Sequence, residues 1–279
     1  MTGVQTCALP ISARERWNED LSEADLDIVT RQPTGLLGLA DLISGGTLQS
    51  MAEAAADESA AELADPAALI ADPDLAAAVR RRSPIPLMPR RNGRGDVVAP
   101  MTPVAFINPA VIHRSAALLA AERGDEAEPL RYREGVGIPG GAITLPLRYA
   151  AAGALSAMQA GFRGAALARP SIRGRSANLL RRIFPGSGFG PSGSRLEEWS
   201  WRLTLDARTA GDHHVRVEVD ADGHPGYLAT AKLLGEAGLL LAERDSTPDR
   251  AGCLTPATAI GTGRLDRFER AGVRFSVSS

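Results

Sequence analysis

Four short stretches of this chain carry groups able to do chemistry. Gly223-His224-Pro225-Gly226-Tyr227 joins two glycines, which permit tight turns or close backbone approach, to a proline suited to opening a helix. A helix starting there presents N–H groups and a partial positive charge to a polar ligand. Tyr227 could orient a substrate carbonyl or simply pack, and Lys232 further along could reach a phosphate or stand solvated. Ser44-Gly45-Gly46-Thr47 is a second glycine-containing turn ahead of a helix, with free backbone N–H groups expected at the helix start. Asn108 precedes a third helix carrying His113, Arg114 and Ser115; His113 is the candidate functional histidine, against the plainer reading of a packed or solvated one. The fourth stretch is Gly252-Cys253-Leu254-Thr255-Pro256, a turn into the last helix.

Other patterns invite chemistry and do not sustain it. Gly188-Phe189-Gly190-Pro191-Ser192-Gly193 fits G-x-G-x-x-G, but that motif works only between a buried strand and a long helix. A helical segment precedes it here, a strand follows, and Pro191 removes one N–H. His213, His214 and His224 lack a carboxylate cluster or helical i,i+4 spacing, so no metal site is expected. Cys253 reads as buried packing rather than a nucleophile.

Arg80, Arg81, Arg82, Arg90 and Arg91 fall in a Pro-, Arg- and Gly-rich excursion over 80–96, which reads as a solvated loop. A formal charge of −2 supplies no general drive towards nucleic acid, so no nucleic-acid partner is expected. At 44% apolar and 23% charged residues the chain is globular. Aromatics are 4%, so the core rests on Leu, Val, Ile and Ala. The longest uncharged apolar stretch, 149–162, falls short of the ~20 residues of a membrane span. With no disulfide framework, a cytoplasmic location is the expectation.

Positioning these groups requires a mixture of elements. Residues 13–27 are polar and read as a helical remnant, and Leu26–Arg31 as a strand. Helices are expected after Thr47, over 109–120, 150–169, 171–184, 225–242 and 256–271. Residues 101–108 read as extended, and Leu130–Val136 and Val273–Val277 as strands. Trp199, Trp201, Leu203 and Leu205 alternate with polar residues, as do Val215, Val217 and Val219, giving a half-buried antiparallel hairpin. The expected fold is α+β: a mixed, mainly antiparallel sheet with helices packed on one face.

Met1–Ile11 coincides with the conceptual translation of a common sequencing-library adapter read from a GTG start. Without a basic leading region, and with too short an apolar run, it is a poor secretory signal. Residues 1–12 are therefore set aside as non-native, 13–34 are taken as the remnant of a truncated upstream region, and 35–279 as the domain proper.

Residues 223–242 and 252–261 resemble the C-terminal end of saccharopine-dehydrogenase-like oxidoreductases, the group that includes the trans-acting enoyl reductases. That family carries a Gly-Asp-Pro-Gly-Tyr type turn where this chain has His224, so no role of the acid transfers. Ser44–Thr47, Leu63–Leu69, the Asn108 to Ser115 block and the Gly- and Pro-rich loop before the hairpin are also similar to family segments, the loop with an altered length. The resemblance implies the C-terminal, substrate-binding and dimer-forming domain of an NAD(P)-dependent oxidoreductase. The N-terminal Rossmann domain of such a parent is missing here. The parent would move hydride between NAD(P) and a C=C, C=N or C=O group of a small-molecule substrate, while this chain alone would bind no cofactor tightly. The implied cleft comprises Ser44, Gly45, Gly46, Thr47, Asn108, His113, Gly226, Tyr227 and Lys232; no catalytic acid or base is assigned. The alternative is a non-catalytic paralogue that binds a ligand or a protein.

Overall fold

The computed structural model describes residues 17–35, 38–42, 44–57, 59–63, 65–100, 106–186, 188–191 and 193–278. Among these described residues, seven strands form one sheet: β1 (Leu21–Arg31), β2 (Arg90–Arg91), β3 (Val97–Ala99), β4 (Arg131–Ile138), β5 (Ser200–Thr209), β6 (His214–Asp222) and β7 (Val273–Ser278), in the order β2-β3-β4-β1-β5-β6-β7. Only β1 and β4 run parallel; every other neighbouring pair is antiparallel. The α+β expectation is thus borne out.

Period-2 alternation divides the sheet into two unlike faces. On one face Tyr132 and Val136 of β4 stand beside Ala24 and Ile28 of β1, followed by Ala207 and Leu203 of β5 and by Val215 and Val219 of β6. Helices α5 (Asn108–Arg123), α8 (Leu228–Ala242), α9 (Pro256–Ile260) and α10 (Leu265–Arg270) cover it, burying Ile112, Ala229, Leu240, Ile260 and Phe268 in one core. Helix α6 (Leu145–Ala166) covers β3, where Ala152 meets Val97 and Ala99.

The opposite face is ionic. Arg133 pairs with Asp25, Arg216 with Asp206 and Arg202 with Asp220 across neighbouring strands. Each exposed cross-strand pair of this kind contributes ~0.2–1 kcal/mol. They hold the register, because a slip of one residue would turn the charges inward.

The remaining helices are α1 (Leu39–Leu42), α2 (Gly45–Ala56), α3 (Ala60–Leu63), α4 (Pro73–Arg82) and α7 (Pro170–Ile183). Pro109 and Pro146 lie in the first turns of α5 and α6, where their missing N–H costs nothing. Among the described residues no helix is long and apolar enough to cross a membrane.

Several local expectations are corrected. The polar stretch before Asp27 is the first part of β1, not a helix: Glu23, Asp25 and Asp27 alternate with Ala24 and Leu26, and arginines across the strand satisfy the acids. The excursion over 80–96 is not simply a solvated loop. Arg80–Arg82 close α4, while β2 and β3 form a hairpin whose Arg90, Asn92 and Arg94 reach Asp27 at 3.0, 3.0 and 3.4 Å. Asp27 is 2% exposed, and its burial raises the carboxyl pKa despite both arginines.

The helix expected over 256–271 is two, because Gly261 adopts φ +69 and the chain breaks before Leu265. Cys253 is exposed, not packed. Of the extended stretch 101–108, residues 101–105 lie outside the described residues, and Asn108 is already helical.

Candidate functional site

The sequence-singled residues fall into two groups. The first gathers the start of α2, the loop after α7 and the turn before α8. Ser44 caps α2: its Oγ accepts from the Thr47 amide at 2.9 Å and lies 2.8 Å from Thr47 Oγ1. The Gly45 amide donates to the Phe189 carbonyl at 2.7 Å. A Cβ on Gly45 would collide with the Gly186 carbonyl, so only glycine lets the loop cross there.

Two of the amides expected to await a ligand are therefore spent within the protein, one on a capping serine and one on a crossing loop. That loop contains Gly188–Gly193, which joins helix α7 to strand β5 and so lacks the context of a dinucleotide motif. It brings Ser44 and Tyr227 together, for the Cβ position of Gly190 lies 2.8 Å from Tyr227 Oη and 3.7 Å from Ser44 Cβ.

His224 organises the turn before α8. It is 4% exposed, and burial lowers its pKa. Nε2 lies 3.0 Å from the Asp41 carbonyl, which can only accept, so Nε2 carries the proton. Nδ1 then accepts the Gly226 amide at 3.1 Å. An aspartate at this place can accept the amide two residues on in the same way, which explains how histidine is tolerated in the turn.

The His224 ring meets Trp199 and Tyr227 edge-on at 4.7 and 5.1 Å between centroids. Tyr227 Oη is buried without a hydrogen-bond partner among the described residues. The helix begins at Leu228, so Gly226 and Tyr227 belong to the turn, while Lys232 is exposed on α8.

The second group surrounds the start of α5. Asn108 Nδ2 donates to Glu134 Oε2 at 3.0 Å, and Tyr132 Oη donates to the same oxygen at 2.7 Å. Glu134 projects from the apolar face of β4 beside Leu26 and is 2% exposed. Its Oε1 has no hydrogen-bond partner among the described residues. Burial pushes this carboxyl up to about 7, the Asn108 and Tyr132 bonds resisting. It is thus poised to hold or release a proton near neutrality.

His113 lies on the same helix, 3% exposed, its Nε2 3.2 Å from Ser83 Oγ. The Ser83 hydroxyl donates to the Tyr132 carbonyl and accepts the Tyr132 amide, so His113 donates through Nε2–H. Burial pushes its pKa down to about 4, and the ring is neutral.

Among the described residues, no hydrogen bond or ring contact joins Asn108 or His113 to the group of Ser44 and Tyr227. His213 stacks on Trp17 and bonds Glu19, and no cluster of three or more metal-ligating side chains occurs among the described residues. Sequence reasoning missed Glu134. Its signal was phase: Tyr132 and Val136 point inward, so the glutamate between them must too.

The fold and these groups define an α+β domain with a buried, near-neutral carboxyl and an uncapped tyrosine turn. Comparison with known proteins adds a class. The chain is 34% identical over 246 residues to a Mycobacterium tuberculosis (strain H37Rv) protein provisionally named trans-acting enoyl reductase Rv2449c, covering 82% of this chain and 55% of that protein. It is 31% identical over 255 residues to the trans-acting enoyl reductase of Mycobacterium ulcerans, covering 84% and 56%. A Mycobacterium bovis (strain BCG) trans-acting enoyl reductase matches over 96 residues at 35%, covering 34% and 23%. These likenesses support an oxidoreductase grouping. The chain spans about half the length of the first two relatives. No protein-family profile and no solved structure matches it.

Proposed function

We propose that this chain is the substrate-side, C-terminal part of an NAD(P)-dependent oxidoreductase that reduces the C=C bond of an α,β-unsaturated acyl group. The carrying observation is the 34% identity, over 82% of this chain, to a protein with an enoyl reductase name. In this reading the saccharopine-dehydrogenase-like resemblance extends over residues 35–277, with residues 1–12 foreign to the domain.

The described residues offer no dinucleotide cradle. Gly188–Gly193 lies between a helix and a strand, and the Gly45 and Thr47 amides at the α2 start are already bonded. In this reading NAD(P) would be held by sequence outside this chain and would supply the hydride. The residues of this chain bind and orient the acyl group and exclude water. Glu134 is a buried carboxyl beside the start of α5, pushed up to about 7 by its burial. Asn108 and Tyr132 fix the orientation of that carboxyl.

The test is a chimera joining this chain to the portion of the Mycobacterium tuberculosis relative that it does not match. The expected result is one NADPH oxidised per enoyl thioester consumed, with the saturated thioester as product by mass spectrometry. A chimera that binds NADPH but leaves the enoyl thioester intact overturns the reading.

A further inference from the structure

Helix α8 leads away from Tyr227 along an apolar trough. The trough encloses about 450 Å³ between α8, α9, α10 and β7, and Leu233, Ala237, Gly238, Leu254, Phe268 and Phe275 are among the residues lining it. That volume falls within the ~300–1,000 Å³ of small-molecule sites. It runs from Thr230 to Leu241, ~16 Å at the helical rise.

We propose that this trough binds the hydrocarbon chain of an acyl substrate. The acyl nature of the ligand rests on the proposed reductase function; the position and the chemistry of the trough come from its lining.

No charged side chain lines the trough, although ion pairs cover the opposite face of the sheet. Its two polar liners are occupied elsewhere. Thr230 Oγ1 donates to the Pro225 carbonyl at 2.6 Å, and Thr255 Oγ1 is engaged with Ser115 and Thr258. The walls offer an occupant apolar contact and no free hydrogen-bonding hydroxyl, which suits hydrocarbon and penalises a polar ligand.

The Ser115–Thr255 bond also ties the trough to α5, whose first turn carries Asn108 ~10 Å away along the helix. Leu234 and Leu241 stand 71% and 58% exposed at the rim, positions where a bound chain would remove apolar surface from water.

Isothermal titration of the full chain with octanoate, laurate and palmitate, each below its micellar concentration, tests this. Affinity should rise about fourfold per added methylene until the trough is full. Gly238→Leu is the decisive variant. Nothing lies within 4 Å of a Cβ at Gly238, so the new side chain meets no backbone and enters the trough, and leucine favours the helix over glycine. It should fold like the parent by circular dichroism and urea titration, yet bind laurate at least tenfold more weakly; Gly238→Ala should retain binding.

Affinity independent of chain length overturns the proposal, as does a Gly238→Leu variant that binds laurate normally. Self-association that is abolished by Gly238→Leu and indifferent to laurate also overturns it, identifying the trough as an interface between copies. The two readings fail separately. A chimera that reduces enoyl thioesters while the trough binds no fatty acid sinks only the trough. Chain-length-dependent binding with no reduction sinks only the reductase.

Discussion

Glu134 and His113 form an opposed pair of buried titrations whose removal, one at a time, has a calculable signature. Glu134 is pushed up to about 7 from an ordinary 4.5, so the folded chain holds a proton that the unfolded chain releases. Its contribution is complete below pH ~4.5 and is lost as pH rises through ~7. His113 is pushed down to about 4 from 6.5, so its contribution is complete above pH ~6.5 and is lost as pH falls through ~4.

Each displacement is worth about 3 kcal/mol. The windows overlap and the slopes oppose, so together they leave stability flat to about 1 kcal/mol between pH 4 and 8. Glu134→Gln keeps an acceptor for Tyr132 and Asn108 but cannot ionise. Relative to the parent it should lose about 3 kcal/mol as pH falls from 8 to 4. His113→Gln keeps a donor for Ser83, and relative to the parent should gain about 3 kcal/mol over the same interval. Urea titrations followed by the fluorescence of the buried Trp199 and Trp201 read both. Curves for the two variants that run parallel to the parent across this range would refute the argument.

Other consequences are more local. Gly45→Ala should cost about 1–3 kcal/mol by chemical denaturation, because its Cβ meets the Gly186 backbone rather than a flexible side chain. Faster amide exchange at Phe189 and Gly190 should accompany the loss. His224→Ala removes the Gly226 acceptor, the Asp41 donor and two ring contacts and should cost about 2–3 kcal/mol, of which His224→Asn should recover part through the Gly226 bond alone. Asp27→Ala leaves Arg90 and Arg94 facing an empty buried position and should cost about 3–5 kcal/mol, with Asp27→Asn milder; equal costs would show that charge is not what holds the hairpin. The chain alone should leave NADPH fluorescence unchanged at micromolar concentrations, and a saturable enhancement would mean that a dinucleotide site has been overlooked.

The hairpin β5–β6 and the final strand β7 were legible because their apolar residues recur every second position, a pattern that only a half-buried strand satisfies. Helix α5 announced itself through Pro109, and α6 and α7 through the Ala-rich run after residue 150 and the break at Pro170, although α6 starts earlier than expected, at Leu145. β1 was obscured by its acids. Glu23, Asp25 and Asp27 look like a solvated stretch until the arginines of β4 and of the β2–β3 hairpin, far away in sequence, are set against them.

Sequence determined which residues had special backbone or chemistry: the glycines of the 44–47 and 223–227 turns, Asn108, His113 and Tyr227. Tertiary structure decided what those residues face. Ser44 and Tyr227 became neighbours because a loop more than a hundred residues from Ser44 crosses the α2 start, and the amides there were spent on it. Asn108 acquired its partner because β4 turns Glu134 towards the helix layer. The proton affinity of that carboxyl is set by the removal of water around it, a property of the packed layers that no single segment of chain possesses.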